Sequence, residues 1–543
     1  LNFGDHFGGD SLDLVVDVAD PDVTAAEELD CCQRAQQVWD GIERRTIPAF
    51  PAARPNASHL KTPDEVEWHP DRRLGLYEVP EQLQNDIDKM ERTVFNPWQK
   101  PENYVKRMHT LLFVEEAQQR KNFRKFDVGY AKLHESREGG EVWHKLMIEG
   151  LAERRPSVLK GDSVYVWVPE STDVEYEGVV ESVLRDAAWL RLNPGFPDNT
   201  RGVSEFHVRF TFSRLQFRRM HAAIDNVDLK LVWPDPSTHP SPPPPPPTST
   251  SVLETIGGLT PNAEQHECID RISALSKLQS PYPLLVRGAF GTGKTSTVAN
   301  AILKLLKPPA TADSRILLCT ECNAAADLYV TLLADHLQPK EMLRYYQSHR
   351  RTQMHGPLWK HSEALYVAEN EIFRTPTVEE VMGYRLVVCT FDLSGVLWGI
   401  GCVRGCFSHI ILDEAANALE PRSLIPLQLA SRNTAIVMAG DDKQIAPTVQ
   451  SGSARHHGLR ESLLVRLARD PRCTHVVELN VNYRSDPQLL QLPSEIFYDG
   501  KLKAAPEAKV SGGAVGCSKG RRPTSAFVDA ARWRVERWSR NYC

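Results

Sequence analysis

Eight consecutive residues, Gly288 to Thr295 (GAFGTGKT), place Gly288, Gly291 and Gly293 ahead of a lysine and a hydroxyl. Glycines let successive backbone N–H groups curl round phosphate oxygens, and a helix N-terminus directly behind them adds partial positive charge. Lys294 can then reach the β- and γ-phosphates of a nucleotide, and Thr295 can offer its hydroxyl to Mg²⁺. Asp413-Glu414 is a second candidate. One carboxylate there can hold Mg²⁺ through water and its neighbour can orient and deprotonate an attacking water. Taken alone, such an acidic pair is more often a solvated turn. Gln444, in Gly440-Asp441-Asp442-Lys443-Gln444, can sense a γ-phosphate, and Gln265, about twenty residues before the glycine loop, can read an adenine edge. Tyr483 and Arg484 offer an aromatic face for a base and a guanidinium for phosphate charge.

These groups need rigid elements to converge. The apolar run Leu284–Val286 reads as a strand feeding the glycine turn, and the apolar spacing after Lys294 predicts a helix to about Leu306. Four more apolar runs, Ile316–Cys319, Leu386–Cys389, His409–Leu412 and Ala435–Ala439, read as buried parallel strands, the first three ending at a polar residue. Thr320 and Thr390 stand at two of those ends, where a hydroxyl suits either a nucleic-acid backbone or a helix cap. The predicted fold is an α/β core with a mostly parallel sheet and its ligand at the carboxyl ends of the strands.

The 543 residues are enough for about three or four domains. Residues 1–33 carry nine acidic side chains and no Lys or Arg, and 1–100 reads as an acidic, partly flexible segment with a loop at Pro48–Lys61. Residues 101–232 read as helical, then β-rich. Helical spacing runs from Asn103 to Asp127, and strands are expected at Ser163–Val168, Glu177–Leu184, Trp189–Leu192 and Phe206–Phe212, forming a small barrel-like domain. Arg209, Arg214, Arg218, Arg219 and His221 concentrate positive charge that could meet phosphates or simply be solvated. A stiff spacer at 233–252 contains six consecutive prolines, Pro242–Pro247. Net charge of −6 argues against indiscriminate nucleic-acid binding by the whole surface. Eleven scattered cysteines, including Cys319-x-x-Cys322 and Cys402-x-x-x-Cys406, read as reduced thiols rather than zinc ligands. There is no apolar run of the roughly 18 residues that a membrane span needs, and no signal-peptide pattern, so a cytoplasmic or nuclear location is expected.

In their order along the chain, GAFGTGKT, CTECNAAAD, DEAA, GDDKQIAP and NYRSDPQLLQLPSEIFYDGKL resemble the motifs of superfamily 1 RNA helicases of the up-frameshift type. Within that group the resemblance is to the Armitage and helicase-with-zinc-finger branch, and GLAERRPSVLKGD (Gly150–Asp162) is similar to the β-rich region that precedes the core there. The resemblance implies a P-loop RecA-like domain at 253–485, with a second beginning at 486, and an enzyme that uses ATP and Mg²⁺ to move 5′ to 3′ on single-stranded RNA. It implies RNA–protein remodelling, with silencing or RNA-decay proteins as partners and a place in the cytoplasm, ribonucleoprotein granules included. By position it assigns adenine to Gln265 and Tyr483, phosphate to Lys294 and the loop glycines, and Mg²⁺ to Thr295 and Asp413. It makes Glu414 the base, Gln444 the coupling residue and Arg484 the charge stabiliser, and gives RNA contacts to Thr320, Asn323 and Thr390. Cys322, Asn417 and Asp442 depart from the pattern, which usually has Ser, Gln and Pro there. The stretch after Arg484 is too short for a second RecA-like domain, and Ser511–Cys543 matches no family pattern. The chain is therefore expected to be C-terminally truncated and to bind ATP but hydrolyse it poorly. A non-catalytic RNA- or protein-binding scaffold that retains ATP binding is the alternative; a P-loop kinase or GTPase fails on the DEAA and GDDKQ pair.

Overall fold

A computed structural model describes residues 45–47, 74–80 and most of 103–233 and 256–505. The acidic stretch 1–33, the Pro48–Lys61 loop, the proline run, residues 152–157 and the tail from 506 onward lie outside the described residues. The chain divides into two compact units, one formed by residues 1–64 and 119–213, the other by 65–118 and 214–543.

The first unit is an antiparallel half-barrel. Its strands run in the order Val128–Ala131, Phe206–Thr211, Ser163–Trp167, Val174–Val183, Ala187–Leu192, Glu141–Met147 and Leu133–Glu138, and Arg45–Ile47 adds a parallel edge against Val174–Val183. Alternation builds it: Val164, Val166, Val180, Ala188, Leu190 and Val208 are fully buried on the inner face. Two strands start earlier than the sequence suggests, at Val174 and Ala187. The Leu133–Glu138 and Glu141–Met147 hairpin was not anticipated, because His134, Glu135, Arg137, His144 and Lys145 dilute its apolar signal.

The second unit holds a seven-stranded, wholly parallel sheet in the order Met342–Arg344, Leu386–Thr390, Ile316–Thr320, His409–Asp413, Ala435–Gly440, Leu284–Gly288 and Val476–Leu479. Its five long predicted strands are observed, four of them buried along their whole length because helices cover both faces. The edge strands Met342–Arg344 and Val476–Leu479 are too short for periodicity to reveal. Register sets Thr320 opposite both Thr390 and Asp413, so three motif residues end level at the carboxyl edge.

The helices Tyr104–Phe123 and Leu215–Asn226 belong largely to this second unit rather than to a domain spanning 101–232. The concentration of charge around the latter is spent internally, which corrects the phosphate-contact reading. Arg209 pairs with Glu175 at 3.1 Å within the half-barrel. Arg214 pairs with the fully buried Glu116 at 2.5 Å. Arg218 donates to the carbonyls of Leu74 and Gly75, Arg219 to that of Asp392, and His221 is buried with its Nδ1 2.6 Å from that of His109. Packing turns the arginines inward, where each guanidinium requires a protein acceptor, and burial keeps His221 neutral.

Candidate nucleotide site

The Leu284–Gly288 strand delivers the chain into the glycine loop, and the Lys294–Leu306 helix leaves it. Gly291 and Gly293 adopt φ of 69° and 80°, a left-handed backbone that aims consecutive N–H groups into one concavity. Space forbids side chains as well: a Cβ on Gly288 would meet Thr292 Oγ1 at 2.6 Å, and one on Gly293 would meet Gln265 Nε2 at 2.6 Å. The Lys294 ammonium lies against the loop, donating to the carbonyls of Gly288 at 2.7 Å and Ala289 at 3.2 Å.

Beside the loop, Asp413 is 2 % exposed at the end of its strand. Its Oδ2 accepts from the Tyr329 hydroxyl at 2.8 Å and its Oδ1 from the Glu414 backbone N–H at 3.0 Å. Burial and the Asp413 charge push the Tyr329 phenol well above its ordinary value, which keeps it a donor to Asp413. Burial and then the neighbouring Glu414 charge push the Asp413 carboxyl up to about 6. Two oxygen side chains at a phosphate-binding loop form a hard donor set that fits Mg²⁺. Glu414 has a φ of 57°, rare for a non-glycine residue, and its Oε2 accepts from Asn417 Nδ2 at 3.2 Å. Asn417, one of the departures from the family pattern, thus still braces the carboxylate expected to act as base.

The NYRS stretch is tied directly to the glycine loop. Asn482, fully buried, donates to the Phe290 carbonyl at 2.6 Å and accepts from the N–H groups of Arg484 and Ser485, while the Tyr483 N–H donates to the Gly291 carbonyl at 2.8 Å. The Tyr483 hydroxyl accepts from Asn262 at 2.8 Å, and Arg484 is exposed. Gln265 is 3 % exposed; its Nε2 donates to the Thr292 carbonyl and its Oε1 accepts from the Asn262 N–H. Gln265 therefore braces the loop from behind. Gln444 is exposed and donates to Asp441 Oδ2 at 2.6 Å. Asp442, another departure, pairs with Arg287 at 2.8 Å; burial alone would raise its carboxyl, but Arg287 more than offsets this and holds it below its ordinary value.

Of the three residues expected to touch RNA, Thr320 is fully buried and its hydroxyl donates to the Cys322 carbonyl at 2.7 Å. In this structure the hydroxyl is thus held by the loop backbone. Asn323 is half-buried and accepts from Arg344, and Thr390 is 8 % exposed at the N-cap of the Phe391–Gly399 helix. Sequence reasoning missed Tyr329, Asn482, Asn262 and Asp441. Asn482, Asp441 and Asn262 carried a signal by lying within motifs, Asn262 three residues before Gln265; Tyr329 carried none.

Comparison with known proteins agrees with this geometry. A family model described as "Helicase MOV-10, beta-barrel domain" matches residues 126–210, and two AAA-domain models match 260–379 with 340–452, and 459–537; the last runs through residues 511–537, which corrects the expectation that Ser511–Cys543 matches no family pattern. A human "Probable helicase with zinc finger domain" is 32% identical over 446 residues, covering 74% of this chain and 22% of its own length. A zebrafish (Danio rerio) "Putative helicase mov-10-B.1" is 34% identical over 425 residues, covering 74% of this chain and 41% of its own. Human "RNA helicase Mov10l1" is 27% identical over 534 residues, covering 82% of this chain and 42% of its own. The chain thus spans less than half the length of these relatives. Among the described residues no helix is long and apolar enough to cross a membrane.

Proposed function

The chain is a superfamily 1 helicase of the branch that holds MOV-10 and the helicase with zinc finger domain, and from that premise we propose that it binds ATP with Mg²⁺ and couples hydrolysis to movement on single-stranded RNA, 5′ to 3′, in remodelling RNA–protein complexes. The observation that carries this reading is the direct joining of the NYRS stretch to the glycine loop through Asn482 and Tyr483, at the sheet edge where Asp413 and Glu414 also end. The RNA substrate rests on the name of a relative, RNA helicase Mov10l1, and silencing or RNA-decay proteins as partners, with a cytoplasmic location, rest on the resemblance of the motifs.

Each residue has a task that follows from its position. Lys294 and the loop N–H groups hold phosphate oxygens, and Thr295 and Asp413 would hold Mg²⁺, which when bound offsets phosphate charge. Glu414 takes a proton from the attacking water, with Asn417 fixing its carboxylate. Arg484, exposed at the rim, supplies charge to the transferred phosphoryl group, and Gln444 reports the γ-phosphate. Gln265 and Tyr483 form the adenine side, Gln265 acting through its second amide hydrogen. Asn323 and Thr390 are the RNA contacts at the neighbouring strand ends, oriented by Arg344 and by the cap position.

Calorimetric titration with Mg·ATP and a phosphate-release assay with and without single-stranded RNA test the proposal. Binding is expected to be lost in Lys294→Ala. Glu414→Gln is expected to keep binding and to abolish the weak RNA-stimulated turnover expected of the unaltered chain. Binding without any RNA stimulation in the unaltered chain would favour the scaffold alternative, and no binding at all would remove the nucleotide reading.

A further inference from the structure

Gln444 can report a γ-phosphate only if its amide is held in one orientation, and the holding group is Asp441. That carboxylate is 3 % exposed; its Oδ1 accepts from the Lys443 N–H at 3.1 Å, and its Oδ2 accepts from Gln444 Nε2 at 2.6 Å and from the Tyr498 hydroxyl at 2.8 Å. A carboxylate only accepts, so the nitrogen end of the Gln444 amide must face it and the Oε1 end must face away. Burial and then the hydrogen bond to Asp441 push the Tyr498 phenol well above its ordinary value, which keeps it a donor. Tyr498 arrives from the far side of NYRS, directly after the Pro487–Phe497 helix. Its ring packs on a small apolar cluster of Ala289, Leu490 and Leu502, with Phe290 beside it, so the same side chain touches the glycine loop and the carboxylate that orients Gln444.

We propose that Tyr498 is a positioning residue for Gln444: through the shared Asp441 oxygen it sets the glutamine amide and makes γ-phosphate sensing depend on the placement of the Pro487–Phe497 helix. The inference rests on the nucleotide reading above. Two donors on one oxygen fix that oxygen in two directions, and removing the phenol donor leaves the carboxylate free to turn with Gln444 still attached.

The test is a double-mutant cycle on nucleotide discrimination in the full chain, with dissociation constants for Mg·ATPγS and Mg·ADP measured by calorimetry for the unaltered protein, Tyr498→Phe, Gln444→Ala and the double variant. Phenylalanine keeps the ring packing, and unchanged Mg·ADP affinity reports an intact glycine loop. Expected is a loss of roughly three- to tenfold in the ATPγS over ADP preference for Tyr498→Phe, a larger loss for Gln444→Ala, and no further loss in the double variant. Fold-losses that multiply in the double variant, an equal weakening toward both nucleotides, or an unchanged preference in Tyr498→Phe would each overturn the inference while leaving the nucleotide reading intact. Failure of the unaltered chain to bind Mg·ATPγS would remove both.

Discussion

Asp413 shows how a single residue's surroundings set its working range. Burial and Glu414 raise its carboxyl to about 6, and Tyr329 and Lys294 oppose that rise. A raised carboxyl contributes stability that is complete below the ordinary range near 4 and is lost as pH rises through about 6, so the ligand-free protein should melt at a somewhat lower temperature at pH 7 than at pH 5, by an amount that Asp413→Asn removes. Metal binding has the opposite sign, because the ion needs the anion. Mg·ATP affinity is expected to fall roughly tenfold between pH 7 and pH 5, measured by titration in buffers of matched ionic strength. Gly293→Ala belongs to the same scale: its φ of 80° and the 2.6 Å approach of Gln265 Nε2 leave no room for a methyl. It is expected to weaken ATP binding by about tenfold or more.

At the scale of elements, helix ends and buried ion pairs decide how firmly the motifs are held. Cys322 occupies the N-cap of the Asn323–Leu333 helix in extended backbone, yet makes no side-chain cap bond, since a thiol accepts weakly. Cys322→Ser is therefore expected to stabilise the unit by about 0.5–1 kcal/mol in denaturant unfolding. Arg214 begins the Leu215–Asn226 helix and holds the fully buried Glu116 of the Tyr104–Phe123 helix, together with the Tyr77 carbonyl. Arg214→Ala is expected to cost about 3 kcal/mol in the same assay, because it takes the cation from a buried carboxylate. The long strands were legible since an unbroken apolar run needs cover on both faces. The three-residue edge strand and the polar hairpin were not, because two-fold alternation over so few residues falls within chance.

For the whole molecule, the half-barrel enters the chain as an insertion between residues 118 and 214 of the parallel-sheet unit. Phe123 and Phe212, at the two points where the chain crosses, have ring centroids 5.2 Å apart. A short Gly-Ser link in place of 127–211 should thus leave a cooperatively unfolding protein with Mg·ATP affinity within about threefold of the original, checked by thermal unfolding and titration. The sequence by itself determined the parallel-sheet class, the glycine loop and the order of the motifs, since these depend on local rules: continuous apolar runs, glycine at positive φ, and a lysine and hydroxyl at a helix start. Only the tertiary structure decided which neighbour each polar side chain meets. It spent Arg214 and Arg219 on protein acceptors, turned Thr320 inward, set Tyr329 on Asp413, and brought Tyr498 to the oxygen that Gln444 uses. Such partners lie tens to hundreds of residues apart, and a buried donor or acceptor takes whichever one packing brings within reach.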